Sequence, residues 1–499
     1  MSLLGIDVGT TGCKVAAFST DGRSIADAYR EYAMLHPRPD QAELDSRHVL
    51  ECVWQAIADV AAQTKRDPIT ALCVSSIGEA VTPVTAGREI LANCILHVDV
   101  RGTHELNDML HGVDTEWFYE INPNILGPNY SLPKLLWLRK NQPELYDRAD
   151  KFLLWGDLVA FMLGCEPTTS FSLANRTLLF DIRKEDWSPE LLALSGIERE
   201  KLPDCKPSGT ITGTVADAMA RKLGLPRGVA VVAGGHDQSC NSLGAGICRA
   251  GKAICGIGTV ECITPAYDHI PKGRQMLERG LNVEHHILPG LYVSFIYNQS
   301  GALVRWFRDT FAGADNAALP EGEDIYDALA AEMPEGPTSL LTLPYFEPTG
   351  APHFIADASG VIAGLKMSTA RGEILKSIME SATFYFVESL DALKSIGIDT
   401  SSFVATGGGA KSDAWLQIKA DVLGVPFIRP RITECGILGA AILAGVSTGV
   451  FKDPEEGIAQ FVEHDRIFEP DRERHQAYRE LYGKYQRLYP AVKGLLAGM

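Results

Sequence analysis

The stretch Leu3-Leu4-Gly5-Ile6-Asp7-Val8-Gly9-Thr10-Thr11-Gly12-Cys13-Lys14-Val15-Ala16-Ala17-Phe18 decides the reading of this chain. Two short apolar runs flank a polar, glycine-containing turn, the pattern of two strands tightly joined. Asp21-Gly22 marks a further turn beyond them. Far down the chain, Ala253-Ile254-Cys255-Gly256-Ile257-Gly258-Thr259-Val260-Glu261-Cys262-Ile263-Thr264 repeats the design. A second pair of segments also matches: Val229 to Gly235 followed by His236-Asp237-Gln238, and Phe403 to Ala405 followed by Thr406-Gly407-Gly408-Gly409-Ala410. Each is an apolar strand, a glycine turn and a helix-like stretch. Two such openings and two such closings imply a duplicated α/β domain whose glycine turns face one another across a central cleft. The repeat spans about half the chain, which excludes a solenoid. The boundary falls around Ile247 to Lys252, giving domains over residues 1–248 and 249–499. Apolar residues at three- and four-residue spacing predict helices from Arg47 to Gln63, Ser131 to Lys140, Arg371 to Leu393 and Asp413 to Leu423.

Composition narrows the partners. A chain of 499 residues is too long for one ordinary core, so two large domains are expected. Its formal net charge of −17 and the lack of any Lys/Arg-rich run argue against nucleic acid. An anionic ligand must then be held by backbone amides, a metal ion and a few placed cations. No apolar run approaches the ~20 residues of a spanning helix, and Met1 to Gly5 leads straight into a strand, so neither a membrane segment nor a signal peptide is expected. The 11 cysteines are scattered, without a CxxC pair, and read as reduced thiols of a cytoplasmic protein. The closest set, Cys248, Cys255 and Cys262 with His269, matches no zinc spacing.

Asp7 ends an apolar strand and precedes Gly9-Thr10-Thr11 and Lys14. Such an acid suits a metal-phosphate unit, with the turn amides and threonine hydroxyls donating to phosphate oxygens; the same residues also read as an ordinary hairpin with solvated charges. Gly258-Thr259 offers a second small, hydroxyl-bearing turn, although Gly-Thr is a common turn element. Gly407-Gly408-Gly409-Ala410 leaves bare backbone for a bulky nucleotide; it does not complete GxGxxG, which disfavours a dehydrogenase. Asp237 follows a strand and a Gly-Gly turn, where ligands bind in open α/β sheets. It reads either as a helix N-cap or as a base that accepts a hydroxyl proton. Glu79, and Asp99 with Arg101, end apolar strands, where they could bind sugar hydroxyls; Asp99 and Arg101 equally read as a structural salt bridge.

Taken together these segments resemble the FGGY family of carbohydrate kinases, over nearly the whole chain. Ser131 to Asn141 is similar to most of one family signature; Gly360-Val361-Ile362-Ala363-Gly364-Leu365, followed after seven residues by Glu373 to Glu380, is similar to the other. The resemblance implies two ribonuclease-H-like (actin-type ATPase) domains, ATP and Mg2+ as cofactors, and a small sugar or polyol as acceptor. It implies that Gly9, Thr10, Thr11 and Lys14 bind the first phosphate site, with Asp7 and Asp237 at the metal. Gly258, Thr259 and Gly301 would form the opposing phosphate site, and Gly408, Gly409 and Ala410 the adenosine site. Asp413 stands where a relative carries an amide. Asp237 matches the catalytic base and Gln238 its neighbour, while Gly78, Glu79, His97, Asp99 and Asn129 fall at the sugar.

Departures bear on the acceptor. His97, Asn129 and Gly78 stand where glycerol kinases carry Trp, Tyr and Arg, which disfavours glycerol. Gly78-Glu79 also replaces the Met-His of xylulose kinases, and Val260 replaces a serine of the second phosphate turn. The expectation is phosphorylation of a small sugar or polyol, with a xylulose-like ketopentose foremost. The alternatives are an ATP-driven clamp or a sugar sensor of the same superfamily. Helical surface stripes are compatible with a homodimer.

Overall fold

The computed structural model describes residues 1–320, 322–355 and 357–496. The opening stretch forms β1 (Ser2–Val8) and β2 (Gly12–Ser19), paired antiparallel with Asp7 opposite Lys14. They continue into β3 (Ser24–Glu31), an edge strand that alternates buried and exposed residues because one face meets solvent. Helix α1 (Ser46–Gln63) is capped by Asp45, whose carboxylate accepts the Arg47 and His48 amides at 3.0 Å. It lays Val49, Val53, Ile57 and Val60 on β2 and β3.

On the other side of β1 lies β4 (Ile69–Ser76), parallel to it, and helix α2 (Ser131–Asn141) follows further on. The sheet ends with β5 (Ile211–Thr214) and β6 (Ala230–His236), giving the order β5-β6-β4-β1-β2-β3. The inner strands β1 and β4 are apolar along nearly their whole length because helices cover both faces. Helix α3 (Asp237–Gly244) leaves β6 directly.

The second sheet is built the same way. β7 (Lys252–Ile257) pairs antiparallel with β8 (Glu261–Tyr267). The chain then leaves the sheet and returns through β9 (Glu284–His285), β10 (Tyr292–Val293) and β11 (Ile296–Asn298). Helices α4 (Ser300–Phe311) and α5 (Arg371–Ser395) precede β12 (Ser402–Thr406), which is parallel to β7. Helix α6 (Asp413–Leu423) leads to β13 (Phe427–Pro430), parallel to β12. After α7 (Cys435–Ser447), β14 (His464–Phe468) closes the sheet antiparallel to β13, and α8 (Arg472–Leu496) ends the fold.

Five strands of the two sheets match in position: β1 with β7, β2 with β8, β4 with β12, β6 with β13, and β5 with β14, although β5 precedes β6 in the chain while β14 follows β13. This corrects the sequence pairing of Val229–Gly235 with Phe403–Ala405. Both are short apolar strands before glycines, yet β12 sits beside its opening strand, as β4 does, whereas β6 lies one place further out. The partner of β6 is β13, which carries no glycine turn and so gave no signal.

The equivalent helices α3 and α7 pack against each other, and α7 also lies on β1 and β4 of the first sheet. Helix α7 is apolar all round because it is enclosed on all sides. Contact is close: a Cβ at Gly244 would lie 1.8 Å from the Cys435 carbonyl oxygen, and one at Gly439 2.0 Å from that of Cys240. Residues 268–291 make a second crossing. Tyr119 Oη donates to the Leu281 carbonyl, the Val283 amide to Pro123 O at 2.9 Å, and the His285 amide to Asn175 Oδ1 at 3.0 Å. Among the described residues no helix is long and apolar enough to cross a membrane.

Candidate active site

The carboxyl ends of β1, β4 and β6 meet at one point. Asp7 is the last residue but one of β1, and its Oδ1 accepts the Ser75 hydroxyl of β4 at 2.6 Å. Burial pushes the Asp7 carboxyl up to about 6, with Glu434 adding to the rise, while Ser75 and Lys14 oppose it. The turn beyond Asp7 is closed by the Gly9 amide on Gly12 O at 3.0 Å. Gly9 and Thr10 are half-buried, and Thr11 is exposed. Lys14 lies 3.5 Å from Glu434, the residue before α7, so this cation is shared with the second half of the chain.

Asp237 is the first residue of α3; His236 holds the N-cap position, so the N-cap alternative for Asp237 does not apply. Its carboxyl is pushed up to about 7, chiefly by burial and then by Asp7, against Gln238 and Arg176. Oδ1 of Asp237 makes no hydrogen bond, although His236 Nε2 lies 3.3 Å away. His236 is held neutral by burial, with Arg176 adding to the effect. Two buried carboxyls, of which Asp7 raises the proton affinity of Asp237 and Asp237 keeps an unpaired oxygen, fit a hard divalent cation such as Mg2+. Among the described residues no cluster of three or more His, Cys, Asp or Glu side chains could hold such an ion. Nucleotide phosphates and water would have to complete its shell.

Beside Asp237 lies a buried charge network. Arg176 bridges Glu79 and Glu284, and Asn282 donates to Glu284 at 2.6 Å. The guanidinium lies over the rings of Tyr130, at 4.9 Å, and Phe295, at 5.6 Å. The Tyr130 hydroxyl donates to Asn124 Oδ1 at 3.2 Å. A Cβ at Gly78 would approach His236 Cδ2 to 2.8 Å and Arg176 Cγ to 2.9 Å, so a larger residue there would displace both. Gly78, Glu79 and Asp237 are therefore brought together by Arg176, which the sequence reading missed, whereas no hydrogen bond among the described residues ties Asn129 to them. His97 is half-buried with an unpaired Nδ1, its ring driven down to about 4 by burial and Lys134. Asp99 is fully used as a structural partner: it accepts the Ala42 amide at 2.7 Å and the Arg101 amide at 2.9 Å, and Arg101 reaches on to Glu43 at 2.7 Å.

Across the gap, Gly258, Thr259, Gly301, Gly408 and Gly409 line one cleft of about 540 Å³. Gly301 is required by contact, since its Cβ would lie 2.0 Å from Gly258 O. Gly408 faces open space, with nothing within 4 Å of a built Cβ, and Gly407 takes φ +80°. Arg305, Tyr326 and Trp415 complete the walls; Arg305 Nη2 donates to Thr259 Oγ1 at 3.1 Å. Ala410 is buried behind the cleft, and Asp413 is turned away, bound to Arg429 at 2.7 Å and to Arg466. Neither residue lines it.

Two duplicated ribonuclease-H-like domains flanking a central cleft define an actin-type ATPase fold. The chain belongs to the FGGY family of carbohydrate kinases: residues 2–244 match the family's N-terminal domain and residues 282–448 its C-terminal domain. It is a phosphotransferase with an alcohol group as acceptor. The chain is 28% identical to xylulose kinase of Bacillus subtilis (strain 168), covering 99% of this chain and 97% of that protein. It is 29% identical to autoinducer-2 kinase of Escherichia coli (strain K12), covering 99% and 95%. The solved structure of xylulose kinase from Rhodospirillum rubrum superposes with a TM-score of 0.89 at 25% identity, covering 99% of this chain and all 100% of that one.

Proposed function

We propose that this kinase transfers the γ-phosphate of Mg-ATP to a hydroxyl of a small sugar, foremost a xylulose-like ketopentose. The observation that carries the reading is Asp237, a buried carboxyl at the start of α3 with Oδ1 unpaired, beside Asp7 and the Arg176 network. The units divide near Ile247 to Lys252 into residues 1–248 and 249–499, the first sheet lying within 2–236 and the second within 252–468.

Phosphoryl transfer depends mainly on positioning and charge. The cleft at Gly258, Thr259, Gly301, Gly408 and Gly409 takes the nucleotide, whose phosphates reach towards Gly9, Thr10, Thr11 and Lys14. Asp7 and Asp237 hold the ion, which when bound supplies neutralisation of phosphate charge. Glu79, Asn129, His97 and Gln238 orient the acceptor. Asp237 receives the hydroxyl proton as the oxygen attacks. Asp99 is support for the site rather than a sugar contact. The reaction is placed in the cytoplasm.

Asp237→Asn tests the assignment. Turnover should fall by about 10³-fold or more while ATP still binds, and near-normal turnover would remove Asp237 from the role. The similarity to autoinducer-2 kinases favours one other acceptor, autoinducer-2, within the same mechanism.

A further inference from the structure

Several buried polar atoms near Asp237 lack partners. Arg176 uses Nη1 on Glu284 and Nη2 on Glu79, which leaves Nε unsatisfied. Glu284 uses Oε1 on Arg176 and Asn282, and Oε2 is left without a donor. Glu284 is 1% and Arg176 8% exposed, so bulk water does not readily serve them. An unmade buried hydrogen bond is costly, and such orphans ask for a ligand group or an ordered water.

Glu284 arrives from the second half of the chain. Residues 268–291 cross over, and the His285 amide is fixed on Asn175 Oδ1 next to Arg176. The wall is aromatic as well as charged, since Phe295 meets His236 edge-on with ring centroids 5.1 Å apart.

Resting on the kinase reading above, we infer that Arg176 and Glu284 form the specificity wall of the acceptor site, selecting neutral polyhydroxyl chains and excluding sugar acids. A hydroxyl both donates and accepts, so it can serve Glu284 Oε2 and Arg176 Nε alike. A carboxylate only accepts. It would satisfy Nε but leave Oε2 facing another anion, in a place where Glu79 and Glu284 already share one guanidinium. The nearby Lys134 ammonium is directed at the Pro128 carbonyl, and Lys14 is paired with Glu434. Polar sites of this kind reject a mismatched analogue strongly because their own groups are left unpaired.

Titration calorimetry on the full chain, with ketopentoses and ketohexoses set against aldonates of the same carbon number, tests the inference. At least one neutral sugar should bind, and its aldonate about a hundredfold or more weaker. Glu284→Gln should weaken the neutral sugar by about tenfold and narrow the gap, with affinity for an ATP analogue unchanged. The wild-type comparison depends on no variant folding. An aldonate bound as tightly as its neutral partner would overturn the inference, as would a Glu284→Gln variant with discrimination intact or the failure of every neutral sugar to bind. ADP release measured in parallel separates the two claims: discrimination in binding without turnover supports the wall and removes the catalytic assignment.

Discussion

Removing the Lys419 ammonium should strongly destabilise the second sheet, and removing its partner as well should restore much of the loss. Glu261, the first residue of β8 after the Gly258-Thr259 turn, is 0% exposed, and its partner Lys419 on α6 is 1% exposed. The ammonium lies near the rings of Phe386 and Trp415, and the other contact to Glu261 Oε1 is the Cys255 thiol at 3.2 Å. Lys419→Met would leave a buried carboxylate with little compensation, at about 3–5 kcal/mol. That is a large share of a typical stability of about 5–15 kcal/mol. At about 2–4 °C per kcal/mol for a domain of this size, the midpoint should fall by about 6–20 °C. In Lys419→Met/Glu261→Gln the stranded charge is gone, and at least half of the loss should return. Thermal unfolding of the wild type, both single variants and the double variant measures the coupling. Additive single effects, or a Lys419→Met shift under about 2 °C, would refute the buried pair as the support of the phosphate turn.

The two cleft glycines should separate fold from ligand. Gly408→Val has open space to enter, so its midpoint should stay within about 2 °C while the ATP KM rises about tenfold. Gly301→Ala meets the Gly258 carbonyl and should lower both stability and kcat, since displacing a phosphate turn by about 1 Å costs about 100-fold. Burial holds Asp157 protonated up to about 8 against an ordinary 3.8, so the folded state binds the extra proton between those values. Its contribution to stability is therefore greatest below about 4 and declines as pH rises to about 8, by up to about 1.4 kcal/mol per pH unit. Asp157→Asn should gain on the wild type over that window, seen as a midpoint difference that widens from pH 5 to pH 8; a constant difference would contradict the shift.

The duplicated opening was legible because β1–β2 and β7–β8 each announce themselves locally, through apolar runs and a Gly-Thr turn. The four helices from spacing were legible for the same reason, as Ser46–Gln63, Ser131–Asn141, Arg371–Ser395 and Asp413–Leu423. What failed was sheet order. Local pattern cannot say that β12 neighbours β7 while β6 is separated from β1 by β4, so two similar-looking strands were paired wrongly. At the site, Asp7 and Asp237 stood out as acids at the ends of apolar strands. Arg176 and Glu284 did not, because each is a lone charge on a non-periodic segment, and they are brought together only when residues 268–291 cross between the halves. Asp99 and Arg101 were ambiguous until the Ala42 amide and Glu43, more than fifty residues earlier, were seen to use them.

The central claim is best tested by ADP release from Mg-ATP across ketopentoses, ketohexoses, pentitols, glycerol, autoinducer-2 and sugar acids. The account predicts strong stimulation by a neutral ketose, foremost a ketopentose, abolished by Asp237→Asn. A flat response to every acceptor while ATP binds, or equal stimulation with Asp237→Asn, would contradict it.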